Sequence, residues 1–180
     1  MNGIDLIGGA LLNPANPGDR NWRAASISDL NGDANVELIF QHTDGTLAAW
    51  FLDDINLVSA SLLNPSQPGK EWRVAGSADF NVDGSIDLLF QHENGTLAVW
   101  YMNGVDLISS ALLTPSNPGS LDWRVVSVVD RNQDRQPDLL FQNSADGTLA
   151  IWYMNDVKLN SVELSTPSSP GGTWKVVAPK

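Results

Sequence analysis

A unit of about fifty residues recurs three times in this 180-residue chain. Its clearest part is an aspartate-rich cassette. The copies read Asp29-Leu-Asn31-Gly-Asp33-Ala-Asn35-Val-Glu37, Asp79-Phe-Asn81-Val-Asp83-Gly-Ser85-Ile-Asp87 and Asp130-Arg-Asn132-Gln-Asp134-Arg-Gln136-Pro-Asp138, and their starts lie 50 and then 51 residues apart. A fixed period of this length means stacked copies of one supersecondary unit, because each copy buries its apolar faces only against its neighbours.

All seven tryptophans keep the same register. Trp22, Trp72, Trp123 and Trp174 share one slot, each followed by Arg or Lys, and Trp50, Trp100 and Trp152 share another. Aligned on them, a unit has four short segments. Trp-Arg leads into small and β-branched residues, and the cassette follows. An apolar run comes next (Leu38–Phe40, Leu88–Phe90, Leu139–Phe141), then a polar turn ending in Gly-Thr. The third segment is Leu97–Met102 and its equivalents, and the fourth is Val105–Leu113 and its equivalents. A proline-rich connector such as Asn64-Pro-Ser-Gln-Pro-Gly69 leads to the next unit. Apolar runs of strand length, cut by Asp-Gly, Asn-Gly and proline turns, predict all-β structure.

Four antiparallel strands per fifty residues suit a β-propeller blade. A β-trefoil also has three repeats of four strands, but the cassette's place between a unit's first and second strands favours the blade. The expected organisation is a single array over 1–180: a partial unit at 1–21, blades at 22–71, 72–122 and 123–173, and a partial unit at 174–180. The first partial unit offers a fourth-segment pattern, Ile4–Leu12, and the last a lone first segment, Trp174–Ala178. That makes 14 expected strands, about 3.5 blades. Open blade edges invite pairing with another chain, so self-association or incorporation in a larger assembly is expected.

The cassettes carry the chemical lead. Oxygen side chains at alternate positions of a short loop suit a hard cation, and calcium takes six to eight oxygens. The expected ligands are the side chains at positions 1, 3, 5 and 9, with the main-chain carbonyl at 7. They are Asp29, Asn31, Asp33, Asn35 and Glu37; Asp79, Asn81, Asp83, Ser85 and Asp87; Asp130, Asn132, Asp134, Gln136 and Asp138. The second copy has Gly84 for a sharp turn, where Ala34 and Arg135 stand in the others. Arg131 and Arg135 can weaken the third site or bridge its carboxylates. The plainer alternative is an ordinary turn, since Asp, Asn and Gly are the usual turn formers.

The run Asp79–Gln91 followed by Gly95–Gly104 resembles the FG-GAP-like (VCBS) repeat of bacterial extracellular proteins, a pattern shared with the integrin α-subunit propeller. The resemblance covers nearly the whole chain. It implies that the cassette joins the two inner strands of a blade and binds calcium. It also implies an extracellular or cell-surface setting, with roles in adhesion, sugar binding or as an appendage to enzymes. Fold alone does not choose among these.

Composition narrows the classes. A net charge of −11 with no basic stripe disfavours nucleic acid. Nine of the 21 acidic residues sit in the cassettes, so much of the acidity is ligand charge on the calcium reading. No apolar run reaches membrane-spanning length, the N-terminus lacks a signal-peptide pattern, and there is no cysteine. His42 and His92 share a slot that Asn143 fills in the third unit, which suits a turn position better than a catalytic base. The expectation is therefore a non-catalytic calcium-binding module for protein interaction, adhesion or assembly. A lectin-like role is the alternative. It would draw on Trp50-Phe51, Trp100-Tyr101 and Trp152-Tyr153, although neighbouring strand residues face opposite sides, so one of each pair is expected to pack between blades.

Overall fold

The computed structural model describes residues 8–169 and 174–176. Among these residues, twelve strands form three four-stranded sheets. The first holds β1 (Trp22–Ser28), β2 (Glu37–His42), β3 (Leu47–Asp53) and β4 (Asn56–Leu62). The second holds β5 (Trp72–Ala78), β6 (Asp87–His92), β7 (Leu97–Asn103) and β8 (Asp106–Leu112). The third holds β9 (Trp123–Val129), β10 (Asp138–Asn143), β11 (Leu149–Asn155) and β12 (Lys158–Leu164). Neighbours pair antiparallel in chain order.

The turn chemistry explains the short links. Gly45, Gly95 and Gly147 take positive φ between the second and third strands. Asp54, Gly104 and Asp156 take φ near +55° in the two-residue turns before β4, β8 and β12, a region Gly and Asp tolerate. Each first strand carries a register shift just before its cassette, at Ala24/Ser26 in β1 and Val74/Gly76 in β5, with the counterpart in β9 opposite Leu140/Phe141. A bulge there increases local twist.

The sheets meet at their first strands, β1 against β5 and β5 against β9. Gly76 permits the second approach, because a Cβ there would stand 2.5 Å from Val128 Cγ2. Successive residues of the second strands feed successive cores, as strand alternation requires. Leu88 and Phe90 join Ile39, Leu47 and Ala49 between the first two sheets. Leu89 joins Leu97, Val99, Leu139 and Phe141 between the second and third.

The connectors tie the outer strands as well. Asn64 N–H donates to Val105 O at 2.8 Å, and Leu107 N–H donates back to Asn64 O at 2.8 Å. Thr114 makes the same pair with Val157 and Leu159. Leu63 and Leu113, just ahead of these ties, are buried.

The expected end segments come out differently. Residues 8–12 form no strand, and residues 4–7 of that segment lie outside the described residues. Leu12 instead packs with Trp22 and Leu57 against Leu38, Phe40, Trp50 and Leu52. Trp174–Val176 form no strand either, and 177–178 lie outside the described residues. Among the described residues no ladder partner defines one for the segment. It still occupies a first-strand position: Gln142 Nε2 donates to Trp174 O at 2.9 Å, and Val176 N–H donates to Gln142 Oε1 at 3.0 Å.

Candidate metal loops and the carboxamide bridges

The cassettes fold as three copies of one hydrogen-bonded loop. In the second, Asp79 accepts the N–H of Asp83 at 3.0 Å and of Gly84 at 2.8 Å. Asn81 Oδ1 accepts the same Asp83 N–H at 3.1 Å, and its amide donates to Asp83 Oδ2 at 2.8 Å. Asp83 Oδ1 accepts the N–H of Ser85 at 2.8 Å. Asp29, Asn31, Asp33 and Asn35 repeat this set in the first loop, as do Asp130, Asn132, Asp134 and Gln136 in the third. Backbone N–H groups gathered on acidic oxygens hold the side chains at positions 1, 3 and 5 on one tight turn. These bonds pull Asp33 and Asp83 below the usual carboxylate range, the backbone N–H of Asn35 and of Ser85 being the largest cause.

This winding requires left-handed backbone at two positions. Position 4 is Gly32, Val82 or Gln133, and position 6 is Ala34, Gly84 or Arg135; all six have positive φ. Ala34 and Arg135 thus take the glycine conformation without being glycine. Val82 at φ +59° is the most strained, since a β-branched side chain disfavours this region.

Position 9 behaves differently from the rest. Glu37, Asp87 and Asp138 are buried at the start of the second strands. Asp87 accepts the Phe80 N–H at 2.9 Å and the Met102 N–H at 3.0 Å. Asp138 does the same for Arg131 and Met154. Glu37, one methylene longer, accepts the Leu30 N–H at 2.7 Å with Oε2, and its Oε1 is buried without a hydrogen-bond partner. Burial lifts Asp87 from 3.8 to about 6, against the pull of its two backbone bonds, and the Asp83 and Asp79 charges add to the rise. Burial likewise raises Glu37.

Among the described residues, no three His, Cys, Asp or Glu side chains converge as a metal-holding group. The donor chemistry nevertheless suits a hard cation: carboxylate and amide oxygens crowd one loop, and Glu37 Oε1 is a buried acceptor still lacking a positive partner. The residues that would hold calcium are those at positions 1, 3, 5 and 9. Calcium would supply positive charge to carboxylates that now share backbone N–H and asparagine amide donors. Arg131 and Arg135 form no ion pair with the third loop; among the described residues, ion pairs involve His42 alone. The Gln136 side chain reaches elsewhere, accepting the Asp156 N–H at 2.8 Å.

A second repeated device was not anticipated from the sequence. Gln41, Gln91 and Gln142 each close an apolar run; the first two bridge one sheet to the next, and Gln142 bridges the third sheet to the Trp174–Val176 segment. Gln91 Nε2 donates to Trp123 O at 2.9 Å, while its Oε1 accepts the Val125 N–H at 3.2 Å and Arg73 Nη2 at 2.6 Å. Gln41 does the same for Trp72, Val74 and Arg23. The available signal was a Phe-Gln pair in every unit.

The other candidates resolve into packing. His42 and His92 Nδ1 accept the N–H groups of Asp44 and Asn94, and Asn143 Oδ1 accepts that of Ala145, so imidazole and amide do one turn-closing job. Trp100 packs in the core between the first two sheets and Tyr101 against the core between the second and third. Burial raises the Tyr101 hydroxyl, helped by its bond to Asp156. Two equivalent clefts remain. One of about 250 Å³ is lined by Pro68, Trp72, Phe90, Trp100 and Leu112 among others. The other, about 230 Å³, is lined by Pro118, Trp123, Phe141, Trp152 and Leu164 among others.

In comparison with known proteins, no family model, no curated protein and no solved structure matches this chain.

Proposed function

We propose that this chain is a calcium-stabilised, non-catalytic repeat module of β-propeller type that serves protein interaction, adhesion or assembly, in an extracellular or cell-surface setting. The propeller arrangement is supported by three equal sheets that approach one another through their first strands. Membership of the FG-GAP-like repeat family is supported by the cassette and Gly-Thr motifs. Calcium is supported by three equivalent oxygen-rich loops and by the orphaned Glu37 Oε1.

The observation that carries the interaction role is the outer rim. Strands β4, β8 and β12 each pair with one strand only, and on the outer edge the connectors tie just their first residues, at Leu57, Leu107 and Leu159, so the remainder of each edge pairs with no other strand among the described residues. Each presents the same leucine to solvent: Leu62 and Leu112 are 55% exposed and Leu164 is 54% exposed. Val58, Ile108 and Val162 are exposed on the same strands. An unpaired strand edge with exposed apolar side chains is a template for another chain.

Light scattering at micromolar concentrations tests this. The wild-type mass should exceed the 19.4 kDa monomer, and the triple variant Leu62→Lys, Leu112→Lys, Leu164→Lys should return it to the monomer. A wild type that stays monomeric throughout rejects self-association and leaves incorporation in a larger complex as the assembly route.

A carbohydrate-binding reading has one observation in its favour, the repeated tryptophan clefts. Their side chains offer few polar groups, Ser110 and indole N–H groups in the first and indole N–H groups in the second. Sugar recognition needs several placed polar groups, so these clefts suit apolar side chains of a partner better. A glycan array separates the two.

A further inference from the structure

The chain has only ten basic residues, and four of them occupy one repeat slot: Arg23, Arg73, Arg124 and Lys175. Each follows the tryptophan that opens a unit. The carboxamide bridges bring these cations into a row. Arg23 Nη2 bonds Gln41 Oε1 at 2.6 Å, and Gln41 also holds Trp72 O and Val74 N–H, the backbone groups flanking Arg73. Arg73 bonds Gln91, which holds the groups flanking Arg124. Gln142 holds the groups flanking Lys175. Arg23, Arg73 and Arg124 therefore sit one bridge apart, and Lys175 lies beside the groups that Gln142 holds.

Among the described residues, no carboxylate lies within 4 Å of any of these cations. That is unusual in a chain of net charge −11. Arg73, in the middle, is pushed down to about 10, by burial first and then by the charges of Arg124 and Arg23. The row has an open end. Arg124 does not copy its counterparts onto Gln142; its Nη1 donates to Trp123 O at 3.2 Å. Beside it lies a cavity of about 290 Å³, lined by Arg124, Lys175, Gln142, Asn143 and Ser144 among others. Two cations, two carboxamides and a hydroxyl thus face one space.

We propose that this cavity binds an oxyanion, the carboxylate or sulfate group of an acidic ligand, between Arg124 and Lys175, with Arg73 as the neighbouring charge. A guanidinium matches two oxygens of such a group with parallel N–H donors, and a lysine adds a point charge. The side chains of Asn143 and Ser144 supply neutral donors to the remaining oxygens. The anion also relieves repulsion along the row, so its binding and the packing of the first strands are coupled. This site is separate from the aspartate loops and from the rim, and its occupancy does not depend on calcium.

Titration calorimetry of the purified protein with sodium sulfate and with sodium succinate, against sodium chloride at equal ionic strength, tests the site. Saturable binding of sulfate or succinate in the millimolar range or tighter is expected, and whichever saturates identifies the oxyanion. Arg124→Gln should weaken it by about tenfold or more, the loss of one hydrogen bond to a charged group. Arg124 is chosen because its guanidinium bonds only a neighbouring carbonyl, so the bridges survive its removal. Lys175→Gln should weaken binding in the same direction. Heats no different from chloride, or unchanged affinity in both variants, would overturn the proposal.

Discussion

Replacing Gln91 by leucine should lower the free energy of unfolding by about 3–5 kcal/mol, from the loss of three hydrogen bonds and the orphaning of buried groups at about 1–3 kcal/mol each. The side chain is 1% exposed and lies where the second and third sheets meet. It satisfies the Trp123 carbonyl, the Val125 N–H and the Arg73 guanidinium together. Leucine has similar volume, so no cavity confounds the loss. Water cannot replace the carboxamide, because Val74, Ala75 and Val125 close the region. Urea denaturation should show the drop in midpoint. Gln142→Leu is the comparison. It bridges to the Trp174–Val176 segment, where Trp174 is 68% exposed, so its cost should be clearly smaller. Equal costs at the two sites would mean that the bridge between sheets is not what Gln91 contributes.

Asp87→Ala should cost about 3 kcal/mol, since two buried N–H groups lose their acceptor at about 1–3 kcal/mol each. Those groups belong to Phe80 and Met102, so the change loosens the cassette and the third strand together. Part of the loss is offset because a buried carboxylate is itself unfavourable. The sign of that offset follows from the pKa. Asp87 is lifted from 3.8 to about 6 in the fold, so the native state binds the proton more tightly than the unfolded chain. In chelator, its contribution to stability is full below pH 3.8 and lost as pH rises through about 6. Asp87→Ala should therefore cost more at pH 4 than at pH 7 in chelator. Calcium, by holding the carboxylate ionised, should flatten this difference. Chemical denaturation at both pH values, with and without calcium, reads all four quantities.

The repeat, the strand content and the sheet of four were legible because each rests on local pattern. Apolar runs, Asp-Gly and Asn-Gly turns and tryptophan register all act within a dozen residues. The cassette's internal winding was legible in part. Its Asp and Asn positions announce side chain-to-backbone bonds, but Val82, Gln133 and Arg135 in left-handed backbone defy their own preferences, and only the surrounding loop imposes them. Position 9 looked like one more ligand of the loop. Its burial depends on how the second strand enters the sheet, which the acidic residue does not reveal. The glutamine bridges were visible as repeated letters without a stated role, because their partners lie more than thirty residues away on another sheet. The rim leucines belonged to an apolar segment that the pattern alone could not divide into buried Leu63 and exposed Leu62.

Whether the aspartate loops hold calcium is tested most directly by thermal unfolding in excess calcium and in chelator, with bound metal measured on the same sample. Bound calcium is expected, with a melting temperature clearly higher than in chelator, because an ion that binds only the folded state stabilises it by mass action. The second loop should bind most firmly, so Asp79→Ala with Asp83→Ala should remove most of the difference. Asp83 is exposed and Asp79 half-buried, and both bond within their own loop, so the chelated fold should survive their loss. A melting temperature unchanged between calcium and chelator, with no metal bound, would contradict the account and leave the three cassettes as turns.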